Sequence, residues 1–157
     1  MKDILDAYCG IYCGSCIIRL AYLQDRTDCI PEPWKTQCKG LDLECHGCKS
    51  DHIYPNCAKC TIRPCAKAKN IKYCFECKEY PCAKYSHFES SEEYPHFTLM
   101  LQEFHLLKEK SLKEWLTFQK KRYTCKKCGN LFAWYEKNCH FCGEKLVNVV
   151  EILKHGE

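Results

Sequence analysis

A three-cysteine unit occurs twice between Cys57 and Lys84. The first copy reads Cys57-Ala-Lys-Cys60-Thr-Ile-Arg-Pro-Cys65-Ala-Lys and the second Cys74-Phe-Glu-Cys77-Lys-Glu-Tyr-Pro-Cys82-Ala-Lys, with Pro64 answered by Pro81. Two thiolates separated by two residues grip one tetrahedral ion from a tight turn, which is why knuckles of this spacing recur in structural zinc sites. The duplication therefore commits this stretch to metal-held structure before it says anything of a biological task. The rest of the chain supports that choice: 17 of its 157 residues are cysteine. Leu, Ile, Val and Phe are sparse, so cross-links or metals carry stability that one large apolar core would otherwise provide.

Metal is favoured over disulfides. The first residues, Met1 to Asp6, carry two acids and no apolar run suited to a signal peptide or membrane span, so a cytoplasmic protein with no membrane partner is expected. A reducing cytosol disfavours disulfides, and an odd cysteine count disfavours a complete disulfide framework. The formal charge of +4 invites a nucleic-acid partner. However, a divalent ion held by four thiolates carries a net charge of −2, and four such sites would bring the loaded protein to about −4.

In chain order, Cys9, Cys13 and Cys16 lie in a glycine-containing loop that runs into an apolar stretch, Ile17 to Leu23, read as a helix. Residues 26–56 have three prolines and no sustained period, which predicts an irregular segment pinned by the Cys45-His-Gly-Cys48 knuckle. Cys29 and Cys38 stand alone, and His46 and His52 are either ligands or polar surface residues. Short helical turns are expected at 66–70 and 83–87. No cysteine occurs between Cys82 and Cys125. There, Phe97, Met100, Leu101, Phe104 and Leu107 fall at helical steps, with Glu103 and Lys108 on the polar side. Ser111-Leu-Lys-Glu114 has the form of a capping box opening a second helix, with Trp115, Leu116 and Phe118 or Gln119 on its apolar edge and the basic run 120–122 at its end. The tail carries Cys125-x-x-Cys128-Gly and Cys139-x-x-Cys142-Gly, a zinc-ribbon pattern with rubredoxin-like iron as the chief competitor. Residues 131–135 read as one strand of that ribbon, and Leu146 to Ile152 as a returning strand.

These readings describe a small metal-stabilised α+β protein. An irregular cysteine-rich domain with short helices occupies 1–88, a helical connector 89–122 and a zinc ribbon 123–157. Ligand arithmetic assigns Cys125, Cys128, Cys139 and Cys142 to one site. Cys9, Cys13 and Cys16 share a second with Cys29 or Cys38. Cys45, Cys48, Cys57, Cys60, Cys65, Cys74, Cys77 and Cys82 build two more, for about four zinc ions in all. The spacing leaves open how those eight pair. Interleaving of knuckles from different segments would explain the duplication.

Three resemblances bear on this pattern. The Cys9, Cys13, Cys16 spacing is similar to the cluster loop of radical S-adenosylmethionine enzymes, but nothing in the chain supplies the barrel those enzymes use. The two triplets resemble fungal Zn2Cys6 domains, where six residues instead of four usually separate the second and third ligands. Tyr8-Cys9-Gly10, Cys13, Cys16, the Cys45–Cys48 knuckle, the Cys60–Cys65 and Cys74–Cys82 units, Trp115 and the terminal ribbon together resemble the cysteine-rich prokaryotic family numbered 3795 among domains of unknown function. That resemblance implies a metal-binding fold in a prokaryotic cytosol and no particular activity.

Closed four-thiolate sites have no open coordination position, which points to a structural, adaptor or regulatory binding protein whose partner is an unknown protein or nucleic acid. The competing class is an iron–sulfur protein with a [4Fe-4S] cluster at the N-terminal cysteines, serving electron transfer, redox sensing or an enzyme. A third class, an enzyme with a free thiolate at Cys29 or Cys38, lacks any neighbouring pattern that would identify an active site.

Overall fold

The computed structural model describes residues 3–27, 30–86 and 94–156. Short helices dominate: α1 (Ile17–Leu23), α2 (Trp34–Cys38), α3 (Pro55–Ala58), α4 (Ile62–Ala68), α5 (Ala83–Ser86), α6 (Pro95–Glu109), α7 (Leu112–Arg122) and α8 (Val149–His155), with 3-10 turns at Cys13–Ser15 and Cys74–Glu76. The expected sheet is not formed. Among the described residues the extended pairing consists of three isolated antiparallel bridges, Asp6 with Tyr12, Thr124 with Leu131, and Asn138 with Lys145. The fold is therefore small and helix-rich, and the strand part of the α+β expectation is corrected.

The returning strand expected from Leu146 onwards is instead α8. Asn148 stops extension: its Oδ1 accepts from the amides of Val150 and Glu151 at 3.0 and 3.2 Å, an N-cap that starts a helix at once. Val149 and Ile152, three apart, then share its buried face, and Gly156 closes it in a left-handed conformation.

Pro95 at the first position of α6 has the φ a helix start requires. The buried face of α6 is His96, Leu99, Met100, Phe104 and Leu107; Met100, Phe104 and Leu107 are as expected, while His96 and Leu99 widen one edge and Phe97 and Leu101 are only partly covered. The cause is His96, whose ring stacks on Trp134 with centroids 4.3 Å apart and planes 10° apart, pulling that edge inward. Glu103 is turned inward as well: it pairs with Arg122 at the end of α7 and accepts from Gln119 Nε2 at 3.0 Å. A carboxylate expected on the polar side thus ties α6 to α7. The capping box is present as expected, with Ser111 Oγ accepting from the Glu114 amide and the Glu114 carboxylate accepting from Ser111.

One apolar cluster unites distant segments. It contains Tyr12 of the N-terminal loop, Ile62 of α4, Tyr85 of α5, Phe104 of α6, Trp115 of α7, and Cys125, Cys139 and Val149 of the tail. Trp115 meets Tyr12 edge-on at 5.9 Å, and Tyr12 stacks on Tyr123 at 6.3 Å. A second, smaller cluster lies under α1, where Ile17, Leu20, Cys38, Tyr54 and Ala133 are buried together.

Candidate metal centre

The tail brings its four cysteines together through two equivalent turns. In the first, the Gly129 amide donates to Cys125 O at 2.9 Å and the Cys125 amide to Asn130 O at 2.8 Å; in the second, Gly143 donates to Cys139 O and Cys139 to Glu144 O, both at 2.8 Å. Gly129 and Gly143 have φ of 75° and 74°, the left-handed conformation that turns each knuckle back on itself. The result is that all four Sγ atoms lie within 4.8 Å of one another. Cys125 and Cys142 are 3.6 Å apart and Cys128 and Cys139 3.5 Å apart. A tetrahedron with zinc–sulfur bonds of ~2.3 Å has edges of about 3.8 Å, so the donor set fits one ion. Cys128 is prepared for ligation: the backbone and side-chain amides of Asn130 donate to its sulfur and lower its pKa to about 6.

The N-terminal cysteines converge from four segments. The first loop is pinned to the Cys45–Cys48 knuckle by the Ile4 amide, which donates to His46 O at 2.9 Å, and to the second repeat by the Cys74 amide, which donates to Tyr8 O at 2.8 Å. Amides also reach sulfur across these segments. The amide of Cys48 serves the thiol of Cys13, and the amide of Tyr8 serves that of Cys48. Burial pushes the Cys9, Cys13 and Cys16 thiols up, and neighbouring sulfur adds to it: Cys48 beside Cys9 and Cys13, and Cys45 beside Cys16. Cys57 is raised in the same way by burial and then by Cys16, Cys45, Cys48 and Cys60. A cation is the charge that offsets such crowded, desolvated thiolates.

Further along, Cys65, Cys74, Cys77 and Cys82 line one cavity. Among the described residues, however, only the tail cysteines bring three or more sulfurs within 4.8 Å of one another. Cys38 lies apart from these groupings, buried in the smaller cluster with its sulfur 3.4 Å from Tyr54 Oη. Cys29 lies outside the described residues. His46 and His52 both face carboxylates: His46 bonds Asp3 at 2.8 Å and Glu44 at 2.9 Å, and His52 sits 3.5 Å from Asp42. Asp42, Glu44 and His52 place one ligand atom each within 4.8 Å of the others, a cluster at the surface that the sequence pattern did not suggest.

Supporting residues were also missed by spacing alone. Arg63 donates from Nε to Cys48 O at 2.9 Å and from its terminal nitrogen to Ser50 O at 3.0 Å, holding the Cys45–Cys48 knuckle against α4. The signal for it is a break in the repeat. Arg63 is answered in the second copy by Tyr80, which packs instead on Tyr85 and Phe104, so only one copy carries a knuckle clamp.

Among the described residues, no helix is long and apolar enough to cross a membrane. Neither the curated proteins nor the solved structures include a match to this chain. Residues 5–87, the segment in which the N-terminal cysteines converge, match the family described as "Protein of unknown function (DUF3795)", and the chain belongs to that family.

Proposed function

We propose that this is a multi-site thiolate metal-binding protein of the cytoplasm, with zinc in the tail site, acting as a structural, adaptor or regulatory binding protein toward a protein or nucleic-acid partner. The observation that carries the zinc assignment is the tail geometry: four sulfurs at tetrahedral spacing, two of them, Cys125 and Cys139, buried in the main apolar cluster. Such a closed set leaves no position for substrate, so its chemistry is to fix structure. The two knuckles hold the end of α7 and the start of α8 on the core, and zinc there acts as a cross-link.

A second reading has its own support. The N-terminal sulfurs are neighbours but stand more widely than one ion requires, an arrangement suited to a polynuclear iron–sulfur core in which each cysteine holds a different iron. Elemental analysis of protein purified without oxygen, together with its visible absorption, tests both readings. Zinc in the range of several ions per chain and no colour supports the first throughout. One zinc with iron, inorganic sulfide and a brown colour keeps zinc in the tail and gives the N-terminal cysteines to iron–sulfur chemistry. Protein without bound metal overturns the proposal.

A further inference from the structure

We infer that Cys65, Cys74, Cys77 and Cys82 form one four-thiolate centre, in which the third cysteine of the first repeat completes the triplet of the second. This deepens the multi-site reading and rests on it. The spacing of the cysteines left the pairing open; the cavity groups these four. All four line a single depression that opens to solvent. Its floor is apolar, formed by Ile62 and Ala66 of α4 and by Tyr85 of α5, all buried. Cys65 reaches it from α4, Cys74 from the 3-10 turn, and Cys82 from the residue before α5.

Charge at the rim fits the same occupant. Four thiolates around zinc, or around a [4Fe-4S] core in its usual oxidised state, carry an overall charge of −2. Two cationic side chains, Lys69 and Lys84, line the cavity. Lys69 Nζ donates to Cys77 Sγ at 3.2 Å, and it also pairs with Glu79 at 2.7 Å, which fixes its position at the rim.

Interleaving has a consequence for the first repeat. With Cys65 given to the second unit, Cys57 and Cys60 are released to face Cys16, Cys45, Cys48 and Cys9, where their sulfurs are found. The duplicated units therefore do not build two equivalent sites. They act as a chain link, each joined to a different partner segment.

The shared ligand chemistry is a thiophilic metal centre, either one zinc ion or an iron–sulfur cluster, and the test separates these. The full chain is purified without oxygen as wild type, Cys65→Ser, Cys77→Ser, the Cys65→Ser/Cys77→Ser double variant and Cys128→Ser, and metal and sulfide are counted. The expected result is that Cys65→Ser and Cys77→Ser lose the same centre, one zinc or one complete iron–sulfide complement with its colour, that their double variant loses no more, and that Cys128→Ser loses a different one. Loss of different centres, with the double variant losing both, overturns the inference. Graded chelation of the wild-type protein with alkylation and peptide mass spectrometry avoids dependence on a variant that fails to fold: Cys65, Cys74, Cys77 and Cys82 are expected to become reactive in one transition, and separate transitions overturn the assignment. A wild-type chain whose whole metal content disappears in Cys128→Ser defeats the multi-site reading itself. Metal content that neither Cys65→Ser nor Cys77→Ser lowers, with Cys128→Ser losing only part of it, defeats only this pairing.

Discussion

His96 shows how one side chain sets both packing and pH response. Burial against Trp134 lowers its pKa to about 3, so the fold carries a neutral imidazole next to the Tyr135 hydroxyl. The unfolded chain takes up a proton below about pH 6.5. The stability His96 confers is therefore full above that value and falls progressively as pH drops toward 3, by about 2 kcal/mol at pH 5. Denaturant titrations in excess metal are expected to show a pH 7 to pH 5 loss smaller by that amount in His96→Phe than in wild type. Gly47 is a second sensitive position. Its φ is 102°, and a Cβ there would fall 1.7 Å from the Ile4 carbonyl oxygen. Gly47→Ala must break the Ile4–His46 connection, and the expected outcome is more than about 1 kcal/mol of destabilisation with faster hydrogen exchange at the Ile4 amide.

At the scale of elements, the helices that announced themselves did so through local chemistry, and the errors came from tertiary pull in α6 and from an overlooked cap in α8. The capping box at Ser111 was legible because both partners lie within one turn, and Ser111→Ala is expected to cost about 1 kcal/mol in thermal or chemical denaturation. The apolar stripe of α6 was legible at Met100, Phe104 and Leu107 but not at its edge, because the ring stack there joins His96 to a residue 38 positions away. Asn148 was the missed signal for α8: a run rich in valine favours a strand by propensity, and one cap overrode it. The grouping of the four tail cysteines was readable because each knuckle is a local turn. The grouping of the other cysteines was not, since Cys65 with Cys74, or Cys16 with Cys45 and Cys57, meet only through the packing of separate segments. Trp115 joins these levels. It is 1% exposed against Tyr12, and Trp115→Ala is expected to cost ~3–5 kcal/mol and to release metal from the N-terminal cysteines at a lower chelator concentration.

For the whole molecule, Cys125 and Cys139 belong to the same cluster as Trp115 and Val149, so a metal at the proposed tail site would be coupled to the main core. Chelation is expected to shift tryptophan emission to longer wavelength in one cooperative step with loss of helix signal, as when a fold and its metal site form together. The position of Phe104 sets a further condition on any relative. Its ring, carried by α6, stacks on Tyr85 at 5.6 Å and lies against Phe75 and Tyr80, roofing the cysteine-bearing segment from outside the stretch that defines the family. The stretch that matches the family and the packed unit thus have different borders. A chain ending near residue 88 would keep its ligands yet present this aromatic surface to water, and is expected to aggregate unless residues 89–157 are supplied in trans. In this chain the matched segment and the roof that keeps it dry are separate stretches of sequence.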